Sequence, residues 1–267
     1  MFQQKIDLKC KRGESLQYKK KKNCIRFAKA CLTKFLYRWK SAAETLADYH
    51  KVDRFAVGLG DFGKSGQFYN RQIKTFSTIS NSQAESVDIV TGEKVGSLPH
   101  FKDAMEWLQN HQPNDKITLV HGDYKIDNMI FHPTEPRVIG VLDWELATVG
   151  HPLSDVINLT MPWLSARSAT AVGNSSLFIA GVTPGLPSRE QVIKWYSDRS
   201  GYDPTPDLTF GDAFGIIRGA VIMQGIAARK ARGQASSEKA NSYGKLFVSQ
   251  ALRAWEMIQN VSKSSKL

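Results

Sequence analysis

A chain of 267 residues, 42% of them hydrophobic, is long enough for one large domain or two small ones around a sizeable core, which makes it a globular protein. Its net charge of +11 sits in the head: residues 1–40 carry 13 Lys and Arg against Asp7 and Glu14, residues 41–267 carry 23 of each sign, and a neutral body argues against nucleic acid as a partner. The sequence has no apolar run near the roughly 18 residues of a spanning helix and no secretory core at its start, and Cys10, Cys24 and Cys31 form no C-x-x-C pair, so membrane span, disulfide framework and zinc site are not expected.

In chain order, the basic run Lys19 to Lys22 reads as a solvated segment. Cys24, Ile25, Ala28, Cys31, Leu32, Phe35, Leu36 and Trp39 then recur at helical spacing, with Arg26, Lys29, Lys34 and Arg38 opposite. This basic amphipathic helix is expected to lay its apolar stripe on the domain's own body rather than on a membrane or a partner. SAAETLADYHKV from Ser41 is a further helical stretch, QFYNRQIKTFSTI is another, residues 80–97 read as a loop, and PHFKDAMEWLQNH from Pro99 is a helix with Phe101, Ala104, Met105 and Leu108 along one side. After it the period shortens. ITLV, NMIFH and RVIGVL are strand-like, and the PTEP tetrad between the last two predicts a hairpin. Residues 165–187, rich in Ser, Gly, Thr and Pro, read as a long loop. Three helices follow: one from Ser188, whose SREQ spells a capping box, one over 208–230 and one over 236–261. Helices, a little antiparallel sheet, then helices make an α+β fold.

The polar residues around the hairpin are hard to explain as scaffold. His121 and Asp123 follow the ITLV strand, Asn128 opens the next strand, and Asp143 ends the RVIGVL strand. In an antiparallel hairpin the start of one strand lies beside the end of its partner, so Asn128 and Asp143 are expected at one end, with Asp123 in the adjoining loop. Oxygen ligands of that kind suit Mg²⁺, which takes few carboxylates and leaves positions for phosphate oxygens and water. The order also matches the phosphoryl-transfer template, in which a loop Asp takes the proton of the attacking hydroxyl, an Asn binds metal, and an Asp beyond a hairpin holds the metal at the phosphates.

The stretch LVHGDYKIDNMIFHPTEPRVIGVLDWELATVGHPLSDV, residues 119–156, resembles the aminoglycoside phosphotransferase and choline kinase-like family, in particular the branch whose domains are fused to acyl-CoA dehydrogenases in animals. VGLGDFGKSG at 57–66 and QGIAARKARGQAS at 224–236 support the resemblance, which covers roughly residues 41–262. It implies a protein kinase-like C-lobe that is mostly helical with a short antiparallel hairpin. It further implies Asp123 as catalytic base, His121 as the residue ordering the catalytic loop, Asn128 and Asp143 as the Mg²⁺ ligands at the ATP phosphates, and Asp155 as a buried brace of that loop. The N-lobe that grips ATP in such folds has no counterpart in residues 1–40, so the chain is expected to comprise a foreign basic head over 1–40, a phosphotransferase C-lobe over 41–262 and a tail over 263–267. A truncated product, a pseudo-enzyme and a chain that takes a lobe from a partner all remain open, and the chain as it stands is expected to turn over little.

GLGDFGKS, residues 58–65, satisfies both G-x-G-x-x-G and G-x-x-x-x-G-K-[ST], so a P-loop nucleotidase is a competing reading, with VIGVLDWE imitating its metal-binding strand. Against it, only FAV precedes Gly58 where a P-loop needs a buried parallel strand, and alternating βαβ units are missing. The expected function is therefore ATP-dependent transfer of a phosphoryl group to a hydroxyl of a small molecule, with a hydroxylated acyl-CoA as preferred acceptor. A non-catalytic binding protein with the same fold is the other alternative. Ser265, Lys266 and Leu267 spell the S-K-L address read by the peroxisomal import receptor, which predicts a peroxisomal protein, cytoplasmic otherwise.

Overall fold

The computed structural model describes residues 19–166, 173–234 and 246–264, with the side chains of the first helix from Phe35 onward. Cys10 and the Ser265, Lys266 and Leu267 terminus lie outside the described residues, as do the side chains of Lys19 to Lys22, Cys24 and Cys31. Helix α1 spans Lys19–His50 without a break, so the basic amphipathic stretch and the segment from Ser41 form one rod. Trp39, Ala42, Ala43, Leu46 and Ala47, spaced as one helical face, are fully or nearly fully buried. They pack on Val156, Leu159 and Trp163 of α4 (Leu153–Ala166) and on Val192, Ile193 and Tyr196 of α5 (Arg189–Ser200). The apolar stripe thus lies on the domain's own body over the part whose side chains are described.

Two small sheets separate the early helices, α2 (Phe68–Ala84) and α3 (Phe101–Asn110), from α4. Strand β1 (Thr118–Val120) pairs antiparallel with β4 (Thr148–Gly150), and β2 (Met129–Phe131) pairs antiparallel with β3 (Val138–Val141). The second pair is the expected hairpin, with Met129 opposite Val141. Strand β4 was not anticipated: three residues, TVG, are too short to show a period, and only pairing with β1 makes them a strand.

Helix α4 was not anticipated either. Ten of its 14 residues are buried and it carries Pro162, so neither an amphipathic period nor an unbroken helical composition marks it. It also takes the first two residues of the stretch read as a loop from 165, while α2 extends to Ala84 inside the segment read as a loop from 80. Ser188 caps α5 by accepting the Gln191 N–H at 3.2 Å, the first half of the expected capping box. The last described helices are α6 (Leu208–Ala231) and α7 (Phe247–Ser264).

Helix α6 runs through the middle of the main core. Phe210, Ala213, Phe214, Ile217 and Val221 meet Phe68, Tyr69, Ile73 and Phe76 of α2 on one side and Ala251, Ala254 and Ile258 of α7 on another. By length and composition alone Thr205–Ala231 is apolar enough to cross a membrane, which the reading of the sequence did not foresee. Its polar residues show its place in the core: Asp212 forms a buried ion pair with Arg189 at the start of α5, and Arg218 reaches the loop after β1.

Candidate active site

Strand β1 delivers His121, Gly122 and Asp123 into a loop gripped from two sides. Gly122 takes the left-handed φ of +80°, open to glycine at little cost. Asp155, in the first turn of α4 and fully buried, accepts the His121 N–H at 2.6 Å with Oδ2 and the Gly122 N–H at 2.9 Å with Oδ1. Asn158 on the same helix face donates to the Gly122 carbonyl at 3.1 Å, and Arg218 of α6 donates to that carbonyl at 2.6 Å and to Asn158 Oδ1 at 2.8 Å. Both polar groups of the Gly122 peptide unit are thereby held by side chains. Burial lowers the Arg218 pKa, and the nearby charges of Asp123 and Asp155 oppose that shift.

His121 is fully buried and its ring is engaged at both nitrogens. Nε2 lies 2.8 Å from the Leu142 carbonyl and Nδ1 accepts the Asp123 N–H at 3.2 Å, so the ring proton sits on Nε2. A histidine tied this way orders the loop and links it to the end of β3. Tyr124 fastens the loop to α1 by donating its hydroxyl to the Ala42 carbonyl at 2.9 Å.

Asp123 is partly exposed, and its Oδ2 accepts from Lys125 Nζ at 2.7 Å and from Asn128 Nδ2 at 3.0 Å. The same Asn128 nitrogen donates to the Asp123 carbonyl at 2.9 Å, which leaves the amide oxygen as the atom available to a cation. Asn128 closes a 3-10 turn, Ile126–Asn128, that leads into β2. Its carbonyl accepts the Leu142 N–H at 2.8 Å, so Asp143, the next residue, falls at the same end of the hairpin. Asp143 is exposed and left-handed, with φ 62° and ψ 56°. Strained positions of this sort concentrate at functional sites, and Asp is among the few side chains that tolerate them.

The donor set fits a hard divalent cation. Asn128 and Asp143 offer oxygen only, and among the described residues no three His, Cys, Asp or Glu side chains converge on a point. A self-contained protein cage is therefore not what the residues build; a Mg²⁺ ion that keeps waters and phosphate oxygens in its shell suits them. The hairpin and the turn after Asp143 also expose apolar side chains, with Ile130, Ile139, Leu142, Trp144 and Leu146 each roughly half exposed.

The GLGDFGKS segment follows α1 through a series of turns, with no strand before Gly58 among the described residues. A β-carbon at Gly63 would lie 2.9 Å from Thr148 Oγ1 and from the Val149 nitrogen, so this loop rests on β4. Arg71 of α2 donates to the carbonyls of Lys64 and Gly66, and Arg54 donates to Ser65 Oγ at 2.7 Å. The glycines thus serve turns and close packing.

Of the residues singled out from sequence, Asp123 and Asn128 are in direct contact, Asp143 lies at the same hairpin end, and His121 and Asp155 hold the loop from behind. Asn158, Arg218, Lys125 and His50 were not singled out. Asn158 stands three positions after Asp155 and would have been found had α4 been recognised; Arg218 reaches the loop, and His50 reaches Asp155 at 3.3 Å, from distant segments that carry no local signal.

Residues 37–178 match the family described as phosphotransferase enzyme family. A Ralstonia eutropha protein whose crystal structure is assigned as an aminoglycoside phosphotransferase is 35% identical, with a TM-score of 0.73 over 86% of this chain and 67% of that one. Acyl-CoA dehydrogenase family member 11 of Gallus gallus is 35% identical over 227 residues, 84% of this chain and 28% of that protein. Acyl-CoA dehydrogenase family member 10 of Mus musculus is 34% identical over 215 residues, 80% of this chain and 19% of that protein. The chain thus spans less than a third of the length of these curated relatives.

Proposed function

The chain belongs to the phosphotransferase enzyme family and has the kinase-like fold of the aminoglycoside phosphotransferases, and from that premise we propose that its site moves the γ-phosphoryl group of ATP to a hydroxyl of a small molecule. The observation that carries this reading is the gathering of Asp123, Asn128 and Asp143 at one end of the β2–β3 hairpin, beside a loop locked by Asp155.

In this reading Asp123 accepts the proton of the attacking hydroxyl. Lys125 and Asn128, both bonded to its Oδ2, orient the carboxylate, and Oδ1 remains for the acceptor. Mg²⁺ bound by Asn128 and Asp143 would neutralise charge on the phosphate oxygens. Positioning and charge stabilisation supply most of the acceleration in phosphoryl transfer, which is what a rigidly held loop provides. A hydroxylated acyl-CoA is the acceptor we favour, because the relatives named above are acyl-CoA dehydrogenase family members. The terminal Ser265, Lys266 and Leu267 support a peroxisomal address. An amino-terminal fluorescent fusion should be punctate with peroxisomal markers and diffuse once Leu267 is deleted.

The reaction is tested by phosphate transfer from labelled ATP, with Mg²⁺ and a panel of hydroxyacyl-CoAs. The assay compares the 267-residue chain with a version joined to the part of the Ralstonia eutropha protein that it does not cover. Transfer abolished by Asp123→Ala supports the reading. ATP hydrolysis that ignores Asp123 overturns it.

A further inference from the structure

His50 is the last residue of α1, and its side chain is 3% exposed. Nε2 lies 3.3 Å from Asp155 Oδ2, the oxygen that also accepts the His121 amide, and Nδ1 lies 2.8 Å from the Tyr196 hydroxyl of α5. Its carbonyl accepts the Thr118 hydroxyl at 2.6 Å, at the foot of β1. One residue therefore joins α1, β1, α4 and α5 at the point where the brace of the loop is anchored.

A buried carboxylate must have its oxygens satisfied by donors, and an unsatisfied one rotates or takes up a proton. Two of the donors to Asp155 are the loop amides of His121 and Gly122; the third is the imidazole of His50. A carboxylate only accepts, so the imidazole nitrogen that faces Asp155, Nε2, carries the proton. That leaves Nδ1 to accept from the Tyr196 hydroxyl, which burial keeps protonated by raising its pKa. A chain of oriented hydrogen bonds runs from Tyr196 through His50 to Asp155, and from there to the backbone on which Asp123 is carried.

We propose that His50 is a positioning residue for Asp123: by donating to Asp155 it fixes the carboxylate plane that holds the His121 and Gly122 amides. The role in turnover rests on the phosphotransfer reading above; the role in loop order does not. Both are tested on the full chain with His50→Leu, which keeps bulk and removes the donor, and His50→Gln, whose amide nitrogen can occupy the place of Nε2.

Amide hydrogen exchange at His121 and Gly122 needs no catalysis. It should accelerate about tenfold or more in His50→Leu, with the core amides of α6 unchanged, and return to within about threefold of the parent in His50→Gln. In the form that turns over, kcat should fall at least about tenfold in His50→Leu with the KM for ATP unchanged, and recover in His50→Gln. If His50→Leu does not fold, Tyr196→Phe removes only the hydroxyl that holds the His50 ring at Nδ1 and should still accelerate exchange at those two amides. Unchanged exchange there, or a glutamine variant as impaired as the leucine one, overturns the proposal whatever the turnover. Exchange that responds as expected in a protein whose parent form transfers no phosphate supports the role in loop order and overturns the reaction instead.

Discussion

Gly122 and Leu146 approach so closely that a β-carbon at residue 122 would sit 2.5 Å from the Leu146 carbonyl oxygen. The contact presses the loop carrying Asp123 against the turn that follows Asp143, and it joins the two halves of the site. Gly122→Ala must either break this approach or push the turn away, while also holding a left-handed φ of +80°. The conformation costs about 1–2 kcal/mol and the overpacking about 1–3 kcal/mol, so the variant should lose roughly 2–5 kcal/mol. Urea unfolding measures the loss, and a variant as stable as the parent would show that the loop yields freely.

Much of this site could be read from the sequence because its residues are close together in the chain. Asp123, Asn128 and Asp143 lie within one hairpin, and strand alternation plus a turn tetrad places them at one end with no knowledge of the rest of the fold. What escaped was non-local. Strand β4 is three residues long and exists through its pairing with β1, and α4 is buried on nearly every side, so its period is hidden. His50 meets Asp155 across 105 residues and Arg218 meets Gly122 across 96, separations that spacing rules do not reach.

Asp143 illustrates a trade between stability and function. Its left-handed backbone costs about 1 kcal/mol or more in a residue with a side chain, and glycine pays no such penalty. Asp143→Gly should therefore raise stability by about 0.5–1 kcal/mol in urea, while Mg²⁺ binding, followed by calorimetry in the presence of ATP, weakens at least about tenfold. Weaker folding, or unaltered metal affinity, would show that the strained carboxylate is not held for the metal.

Lys64 provides the test of the competing P-loop pattern. In a P-loop this lysine reaches the β and γ phosphates, and its loss removes much of the nucleotide affinity. Here its carbonyl is held by Arg71, turns rather than a strand lead from α1 into Gly58, and the loop rests on β4. Lys64→Ala should leave nucleotide affinity within about twofold of the parent, a change under about 0.5 kcal/mol. A tenfold loss would revive the P-loop assignment.

His151, between β4 and α4, gives the fold a pH dependence whose sign follows from its burial. It is 1% exposed, its Nε2 lies 3.1 Å from the Asn114 carbonyl, and its Nδ1 accepts the Leu153 N–H at 3.2 Å. Burial lowers its pKa to about 4; the bond to Asn114 and the charges of Asp207 and Asp115 oppose that shift, and Lys116 adds to it. The unfolded chain therefore binds a proton as pH falls below about 6.5 while the folded chain stays neutral until about 4, so stability is full above 6.5 and declines towards 4. Between pH 7 and pH 5 the decline attributable to this residue should be about 2 kcal/mol. His151→Gln, which cannot titrate, should be less stable than the parent at pH 7 and lose less on acidification, so the two unfolding curves converge near pH 5. Parallel pH profiles for parent and variant would show that the imidazole takes up its proton as readily in the folded protein as in the unfolded chain, and the packing of Tyr69 and Tyr202 against its ring would then need a different account.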